Sequence, residues 1–273
     1  MIIRSQSRDH GRLLVNEDFA ALLTDNRITT ADALWEIAGT GVKNVVRERG
    51  TSRCFLQNQD GSRLECYIKR YLPIPWREKL KNMLTLKPYN FDAIHEWNAL
   101  HRFLELGMNT MTPMAAARFA DGRSCNLTLG ITDYVRASEL FAGFDPEKDS
   151  ERRLRLIGRI ARLAGRMHAA GIAHQDFYLV HFFVKPDEDD NVYLIDLQRM
   201  IFQPKLARRW RIKDLAQLHF SAARYVSETD IRFFWEIYAE QSGINPADRS
   251  LQQAATAKAE RIRRHDAKRA ARR

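Results

Sequence analysis

The sequence predicts an α+β chain in two lobes, a small antiparallel sheet with one main helix followed by a mostly helical lobe, on three observations. From Ala33 to Leu72 short β-type runs alternate with polar turns. Beyond Arg136 the apolar spacing changes to that of amphipathic helices. Within that second half, residues 174–199 read HQDFYLVHFFVKPDEDDNVYLIDLQR, and Asp176 and Asp196 each stand where a strand pattern gives way to a turn. At 273 residues, 45% of them hydrophobic and 29% charged, the chain is long enough for two lobes with cores of their own. The expected division is residues 1–135 for the sheet lobe, 136–257 for the helical lobe and 258–273 for a basic tail.

The first 30 residues carry only weak periodicity and stay unassigned. Strands are expected at residues 34–38, 42–47, 53–57 and 64–71, followed after Asn90 by the helix FDAIHEWNALHRFLEL, which stops at Gly107. Two further strands, at residues 114–119 and 127–135, flank the turn at Asp121 and Gly122. The helical half opens with residues 151–170, where Leu154, Ile157, Ile160, Ala161, Ala164 and Met167 share a face and Gly171 ends the run. Helices at residues 212–225 and 227–241 follow, the last running into the basic tail.

Two carboxylates placed like Asp176 and Asp196 have the layout of a phosphotransfer site, in which one receives or orients the acceptor hydroxyl and the other holds the magnesium that bridges ATP phosphates. The apolar runs 181–184 and 192–195 pair across the polar turn 186–191 and bring both carboxylates to one edge. His174 and Asp176 begin an HxDxxxxN pattern in which the aspartate is the base and the residue five on binds a second metal; here that residue is His181. Imidazole ligates metals but magnesium prefers oxygen, so His181 is a metal ligand, a hydrogen-bonding partner of the aspartate or a phosphate, or a structural histidine. Asp196 closes the apolar run VYLI, where a carboxylate needs a cation or donors, and magnesium is the natural partner.

Lys69 alternates with Ile68 and Arg70 and so shares a strand face with Tyr67 and Tyr71, where an inward lysine needs an anion. Glu96 falls within the apolar arc of its helix and supplies one; the pair would set Lys69 on the ATP phosphates. Upstream, Gly39, Gly41 and Val46 in GTGVKNVV match a phosphate-covering GxGxxGxV loop except for Asn44 at the third glycine, and an ordinary hairpin turn explains the segment equally well. ATP is expected between the lobes near Asp133 and Val135. Asp214, in RWRIKDLAQL, either ties down backbone amides of the Asp176 loop or is a surface charge near a helix start. The acids at residues 187–190 are a solvated turn rather than a metal site.

No N-terminal apolar core follows the charged start and no run of roughly 18 apolar residues occurs, so neither secretion nor a membrane span is expected. Cys54, Cys66 and Cys125 are odd in number and lack a CxxC, which indicates neither a disulfide framework nor a zinc site and points to a reducing cytoplasm. The net charge is +10, and residues 258–273 carry eight Lys or Arg against two acids. Such a tail is a solvated helical extension or binds an anionic membrane surface or an acidic protein; nucleic acid is disfavoured, because no recognised motif or stacking platform accompanies the charge. Residues 75–88, PWREKLKNMLTLKP, place Trp76, Leu80, Met83 and Leu84 on one face with lysines around it, either a lipid-facing helix or an ordinary amphipathic one.

With these residues in place the chain resembles the lipopolysaccharide kinase family, the Kdo and core-heptose kinases of protein-kinase-like fold. The distinctive segments are WREKLKNMLTL, EWNALHRFLELGMNTMTP, MHAAGIAHQDFYLVHFF, LIDLQR and RRWRIKDLAQLHFSA, and together they cover most of the chain. The resemblance implies ATP- and Mg2+-dependent phosphorylation of an inner-core sugar of lipopolysaccharide on the cytoplasmic face of the inner membrane. Asp176 would be the base, Asp196 the metal ligand, and Lys69 with Glu96 the phosphate-positioning pair. Gln175 departs from the basic residue or glycine that relatives carry there, as does Gln198 from their histidine, and both bear on the acceptor. Asp214 follows Asp196 by only 18 positions without an APE, leaving little room for the segment that docks peptides and favouring a small or glycolipid acceptor. A small-molecule or protein kinase of the same fold, and a nucleotide-binding pseudokinase scaffold, are the other readings.

Overall fold

A computed structural model of the chain describes residues 2–46, 49–73, 92–145, 148–186 and 191–271, with the side chains of residues 42–49 outside that description. The amphipathic segment 75–88, Asn90 and the acidic turn 187–190 lie outside the described residues. Contacts divide the chain into two units, Met1–Thr132 and Asp133–Arg273.

The first unit is built on a seven-stranded antiparallel sheet: β1 (Ser5–Arg8), β2 (Leu13–Asn16), β3 (Thr40–Val46), β4 (Arg49–Gln57), β5 (Arg63–Tyr71), β6 (Pro113–Arg118) and β7 (Ser124–Leu129), in the order β1-β2-β6-β7-β5-β4-β3. One face carries Leu13, Val15, Cys54, Cys66, Ile68 and Leu127 in a core closed by Leu23, Ile28 and Leu34 from α1 (Ala20–Asp25), the turn after it and α2 (Ala31–Trp35). Successive strand residues point to opposite faces, so burying Ile68 on this side sends Lys69 to the other.

That other face is covered by α3 (Ala93–Glu105). The helix starts where Asp92 accepts a hydrogen bond from the His95 amide at 2.8 Å, a side-chain cap two residues beyond Asn90. It stops in a left-handed turn at Gly107 (φ 66°), with the Met108 amide returning to the Phe103 carbonyl at 3.1 Å. Trp97, Ala99, Leu100 and Phe103 are buried, as is Glu96.

Two expectations are corrected here, and one unassigned stretch takes form. Residues 34–38 are not a strand: the Thr30 hydroxyl caps the Ala33 amide at 3.1 Å and starts the short helix α2, so a local cap overrides an ambiguous apolar run. The unassigned first 30 residues form β1, β2 and α1, and pairing between β2 and β6, far apart in the chain, orders them. The run 127–135 is also split, into the end of β7 and a separate strand at Val135–Arg136.

The second unit begins with β8 (Val135–Arg136) and α4 (Ala137–Gly143) and is centred on α5 (Ser150–Ala169), whose Leu156, Ile157, Ile160, Ala161, Ala164 and Met167 are buried. β9 (Ile172–Ala173), β10 (Phe182–Val184), β11 (Val192–Leu194) and β12 (Ile201–Phe202) follow, then α6 (Arg208–Ala222), α7 (Glu228–Ser242) and α8 (Ser250–Ala270). α7 starts in a reciprocal capping box of Ser227 and Asp230 and ends at Gly243 (φ 68°). The basic tail is therefore not a continuation of α7 but the end of a separate helix, α8, which packs on α6.

Gly171 turns the chain between α5 and β9 with φ 78°, and its carbonyl accepts from the Gln203 amide at 2.8 Å. A Cβ there would meet the Gln203 carbonyl oxygen at 1.8 Å, which no side-chain motion relieves. Gly171→Ala is expected to cost at least ~2 kcal/mol of stability, read as the shift of a urea unfolding midpoint. An unchanged midpoint would contradict this account of the turn.

Candidate active site

In the first unit, Lys69 pairs in register with Thr51 of β4 and Asn126 of β7. Its Nζ lies 2.7 Å from Glu96 Oε1, and Glu96 Oε2 accepts from the Tyr71 hydroxyl at 2.8 Å and from Asn126 Nδ2 at 2.9 Å. The Glu96 side chain is 0% exposed and that of Lys69 15%. A carboxylate can be buried this deeply because both oxygens receive donors, one of them a cation. Lys69 thus meets Glu96 as the patterning predicts, whereas Tyr71 and Asn126 carry no motif and become visible only once the strand register is known. Gly39 stands just before β3, where a Cβ would press to 2.7 Å on the Arg53 carbonyl oxygen. Gly41 pairs with Ser52, followed by a register shift, and open space surrounds it.

In the second unit, Val135 pairs with Val184, so β8 adds a third strand to the hairpin of β10 and β11. Asp133, exposed and with φ 62°, opens the unit. The hairpin pairs Phe182 with Leu194 and Val184 with Val192, and the Ile195 amide adds a rung to the His181 carbonyl at 3.0 Å. This brings His181 beside Asp196, with Nε2 3.8 Å from Oδ2.

His174 joins the two acidic segments. Its Nε2 donates to the Ile195 carbonyl at 3.0 Å, and its Nδ1 accepts from the Asp176 amide at 3.3 Å. Those roles require a neutral ring, and burial does lower the His174 pKa below its ordinary value.

The loop bearing Asp176 is held from below by one face of α6. Asp214 accepts the amides of His174 at 2.7 Å and Gln175 at 2.8 Å, Gln217 accepts that of Phe177 at 3.1 Å, and the Ser221 hydroxyl accepts that of Leu179 at 2.8 Å. Residues 214, 217 and 221 lie three and then four apart, on one helical face. Of the two roles open to Asp214, it takes the first: it is buried and ties down the loop. This polar stripe within an otherwise packed helix is a sequence signal for a loop needing its donors satisfied, and only its first member is evident from motif reading. Behind it, His168 Nε2 lies 3.4 Å from Asp214 Oδ2 and Nδ1 lies 2.8 Å from the Tyr238 hydroxyl. Burial lowers the His168 pKa and pushes Tyr238 up to about 12, so the phenol stays protonated and donates to a neutral ring.

The depressed histidines set an acid limit on stability. Their ordinary pKa is 6.5 and the folded values are lower, for His168 and His174 and, through partial burial, for His101 and His219. As pH falls below about 6.5 the unfolded chain takes up protons that the folded chain refuses, and stability is lost until the folded values are reached. Thermal melting is expected to hold level in these groups above about pH 7 and to fall between about pH 6.5 and 5. An unchanged melting temperature across that interval would contradict buried neutral imidazoles.

Arg199 is the neighbour of Asp176 that motif reading passes over. Asp196 (φ 65°) leads into a 3-10 turn over Leu197–Arg199, and Arg199 Nη1 reaches the Asp176 carboxylate at 3.0 and 3.2 Å. Gln175 explains itself through backbone geometry. Its φ of 69° is the left-handed region in which glycine costs nothing, and four hydrogen bonds hold the glutamine there. Besides its amide on Asp214, its Nε2 donates to the Arg199 carbonyl at 2.8 Å, its carbonyl accepts from Gln217 at 3.0 Å, and its Oε1 accepts from Lys213 Nζ at 3.2 Å. An apolar cavity elsewhere in this unit, between Ile157, Leu179, Leu218 and Phe234, is lined by none of Asp176, His181 or Asp196.

A sheet unit with a buried lysine–glutamate pair and a helical unit with two acidic loops define the protein-kinase-like α+β fold. The model of the Lipopolysaccharide kinase (Kdo/WaaP) family matches residues 4–238, and the chain belongs to that family. It is 31% identical over 237 residues to lipopolysaccharide core heptose(I) kinase WaaP of Escherichia coli, covering 80% of this chain and 87% of that protein. The protein of the same name from Pseudomonas aeruginosa is 34% identical over 166 residues, 57% of this chain and 62% of its own length. A solved structure of WaaP in complex with acyl carrier protein superposes with a TM-score of 0.71 at 26% identity, covering 92% of this chain and 99% of that one.

Proposed function

We propose that this chain is an ATP- and Mg2+-dependent kinase that phosphorylates a heptose or Kdo hydroxyl of the lipopolysaccharide inner core. The observation that carries the reading is the Asp176 and Asp196 pair of segments, locked together by a neutral His174, in a chain of a sugar-kinase family.

Each residue has a role that its surroundings support. Asp176, on a loop whose amides are already satisfied by α6, accepts the proton of the acceptor hydroxyl. Lys69, aimed by Glu96, takes the nucleotide phosphates. Gly39 and Gly41 let the backbone of β3 cover the phosphates, and Asp133 and Val135 border the nucleotide. The Asp196 carboxylate supplies the oxygen ligand that magnesium prefers. His181 Nδ1 lies 2.6 Å from the Asp176 carbonyl, which can only accept, so a proton sits on Nδ1 and Nε2 faces Asp196 Oδ2 at 3.8 Å. Magnesium keeps water and phosphate among its ligands, so few protein oxygens suffice to hold it. Bound there, it would neutralise phosphate charge during transfer.

Among the described residues no helix is long and apolar enough to cross a membrane. We place the protein on the cytoplasmic face of the inner membrane, held by its basic excess at about 1 kcal/mol per Lys or Arg near the surface. An acidic protein partner is consistent with the +10 charge and with the solved complex of WaaP and acyl carrier protein.

The test is incubation of the pure protein with ATP, magnesium and dephosphorylated core glycolipid, alongside a peptide and free sugars. Phosphate is expected on the glycolipid. Nucleotide binding without transfer to any acceptor, or transfer to the peptide alone, would overturn the reading.

A further inference from the structure

The turn that follows β11 carries both Asp196 and Arg199, and the left-handed backbone at Asp196 (φ 65°) sends the guanidinium back onto Asp176. The contact is made at one point. Nη1 alone reaches both carboxylate oxygens, at 3.0 and 3.2 Å, whereas a guanidinium that locks a carboxylate presents two nitrogens, one to each oxygen. Among the described residues Nε and Nη2 of Arg199 have no hydrogen-bond partner. The backbone beneath is fixed instead: the Arg199 carbonyl accepts from Gln175 Nε2 at 2.8 Å, and the Met200 amide returns to the Leu197 carbonyl at 3.0 Å. A rigid turn thus carries a long cationic side chain, 41% exposed and held at its tip by a single nitrogen.

The base role of Asp176 fixes where charge builds up beside it. Asp176 takes the acceptor proton from within hydrogen-bond reach, and phosphorus bonds to that same hydroxyl oxygen, so the transferring group lies roughly two hydrogen-bond lengths from the carboxylate. In this step the sugar O–P bond forms, the bond to departing ADP breaks and the hydroxyl proton goes to Asp176. Negative charge spreads over the three equatorial oxygens of the phosphoryl group. We infer that Arg199 is a further catalytic residue, whose guanidinium leaves Asp176 for the transferring phosphoryl group and stabilises that charge. The inference deepens the proposed function and rests on it for the reaction that Asp176 serves. An ion pair this open to water holds weakly, so the move costs little, and it frees the carboxylate for its proton as the phosphoryl group arrives. The nitrogens unused on Asp176 supply a planar fork that two phosphoryl oxygens can accept. One short turn thereby positions both the proposed magnesium ligand, Asp196, and the guanidinium.

The experiment combines turnover with calorimetric binding of ADP, magnesium and aluminium fluoride, a mimic of the phosphoryl group in flight, in the presence of dephosphorylated core glycolipid. Arg199→Ala is expected to lower kcat by about 10²- to 10³-fold with the KM for ATP little changed, and Arg199→Lys to recover part of the loss. Wild type should bind ADP with aluminium fluoride about 10²-fold more tightly than ADP alone, and Arg199→Ala should lose most of that gain while keeping its affinity for ADP. An arginine that merely holds the base in place would leave the gain intact and move the acid limb of the kcat–pH profile. A gain kept by Arg199→Ala, no gain in the wild type, or a kcat within about threefold of wild type overturns the inference. The Arg199 side chain makes no contact that the turn's backbone bonds depend on; if Arg199→Ala nonetheless fails to fold, Arg199→Lys is read by the same comparison, and a full gain with full turnover in it overturns the requirement for the fork. Transfer to the glycolipid with arginine-independent binding of the mimic would fail this inference alone. Arginine-dependent binding of the mimic with transfer only to another acceptor would fail the proposed substrate alone.

Discussion

Replacing Asp176 by alanine is expected to lower kcat by about 10²- to 10⁴-fold while leaving the protein folded. The loop does not depend on this side chain for its shape. Its amides go to Asp214, Gln217, Ser221 and His174, and its carbonyls to Gln217 and His181. The carboxylate itself meets Arg199, whose side chain is 41% exposed and rehydrates when the partner is lost. Melting temperature and ATP affinity should therefore stay near those of the wild type while turnover falls. Full turnover would remove Asp176 from the base role, and a collapsed fold would show that the loop needs its charge.

Replacing Glu96 by alanine is expected to destabilise the protein by about 3–5 kcal/mol, the scale for removing one partner of a buried ion pair. The carboxylate is fully buried and receives the Lys69 ammonium, the Tyr71 hydroxyl and the Asn126 amide, so one truncation takes the acceptor from three donors and leaves a hole behind α3. Glu96→Gln keeps the volume and one acceptor oxygen, and should cost less. Urea unfolding of the two variants measures the difference. A change below about 1 kcal/mol in Glu96→Ala would mean that the pair serves only to aim Lys69 and adds nothing to the sheet unit.

Much of this was legible in the chain because certain residues violate their surroundings. Glu96 on an apolar helical arc and Lys69 on an inward strand face each call for the other, and they meet at 2.7 Å. The hairpin after Asp176 was readable from two apolar runs and a polar turn. What escaped depends on contacts between distant segments. Arg199 stands three residues after Asp196 and looks like any basic residue in a turn; only the left-handed geometry at Asp196 and the 3-10 turn after it send the guanidinium back to Asp176. His168 and Tyr238, 70 residues apart, form the neutral platform under Asp214 and have no local signature. β1 and β2 escaped for the same reason, since pairing with β6 makes them strands. Thr30 is the opposite case, a local cap plainly written in the chain that outweighs a weak strand pattern.

The central claim is that Asp176 and Asp196 together transfer phosphate to a sugar of the lipopolysaccharide core. Mass spectrometry of core oligosaccharide tests it most directly, using a strain in which Asp176→Asn replaces the wild-type protein at equal abundance. The account predicts core that lacks one phosphate relative to the parent strain, restored when the wild-type chain is returned. Core of unchanged phosphate content would contradict it.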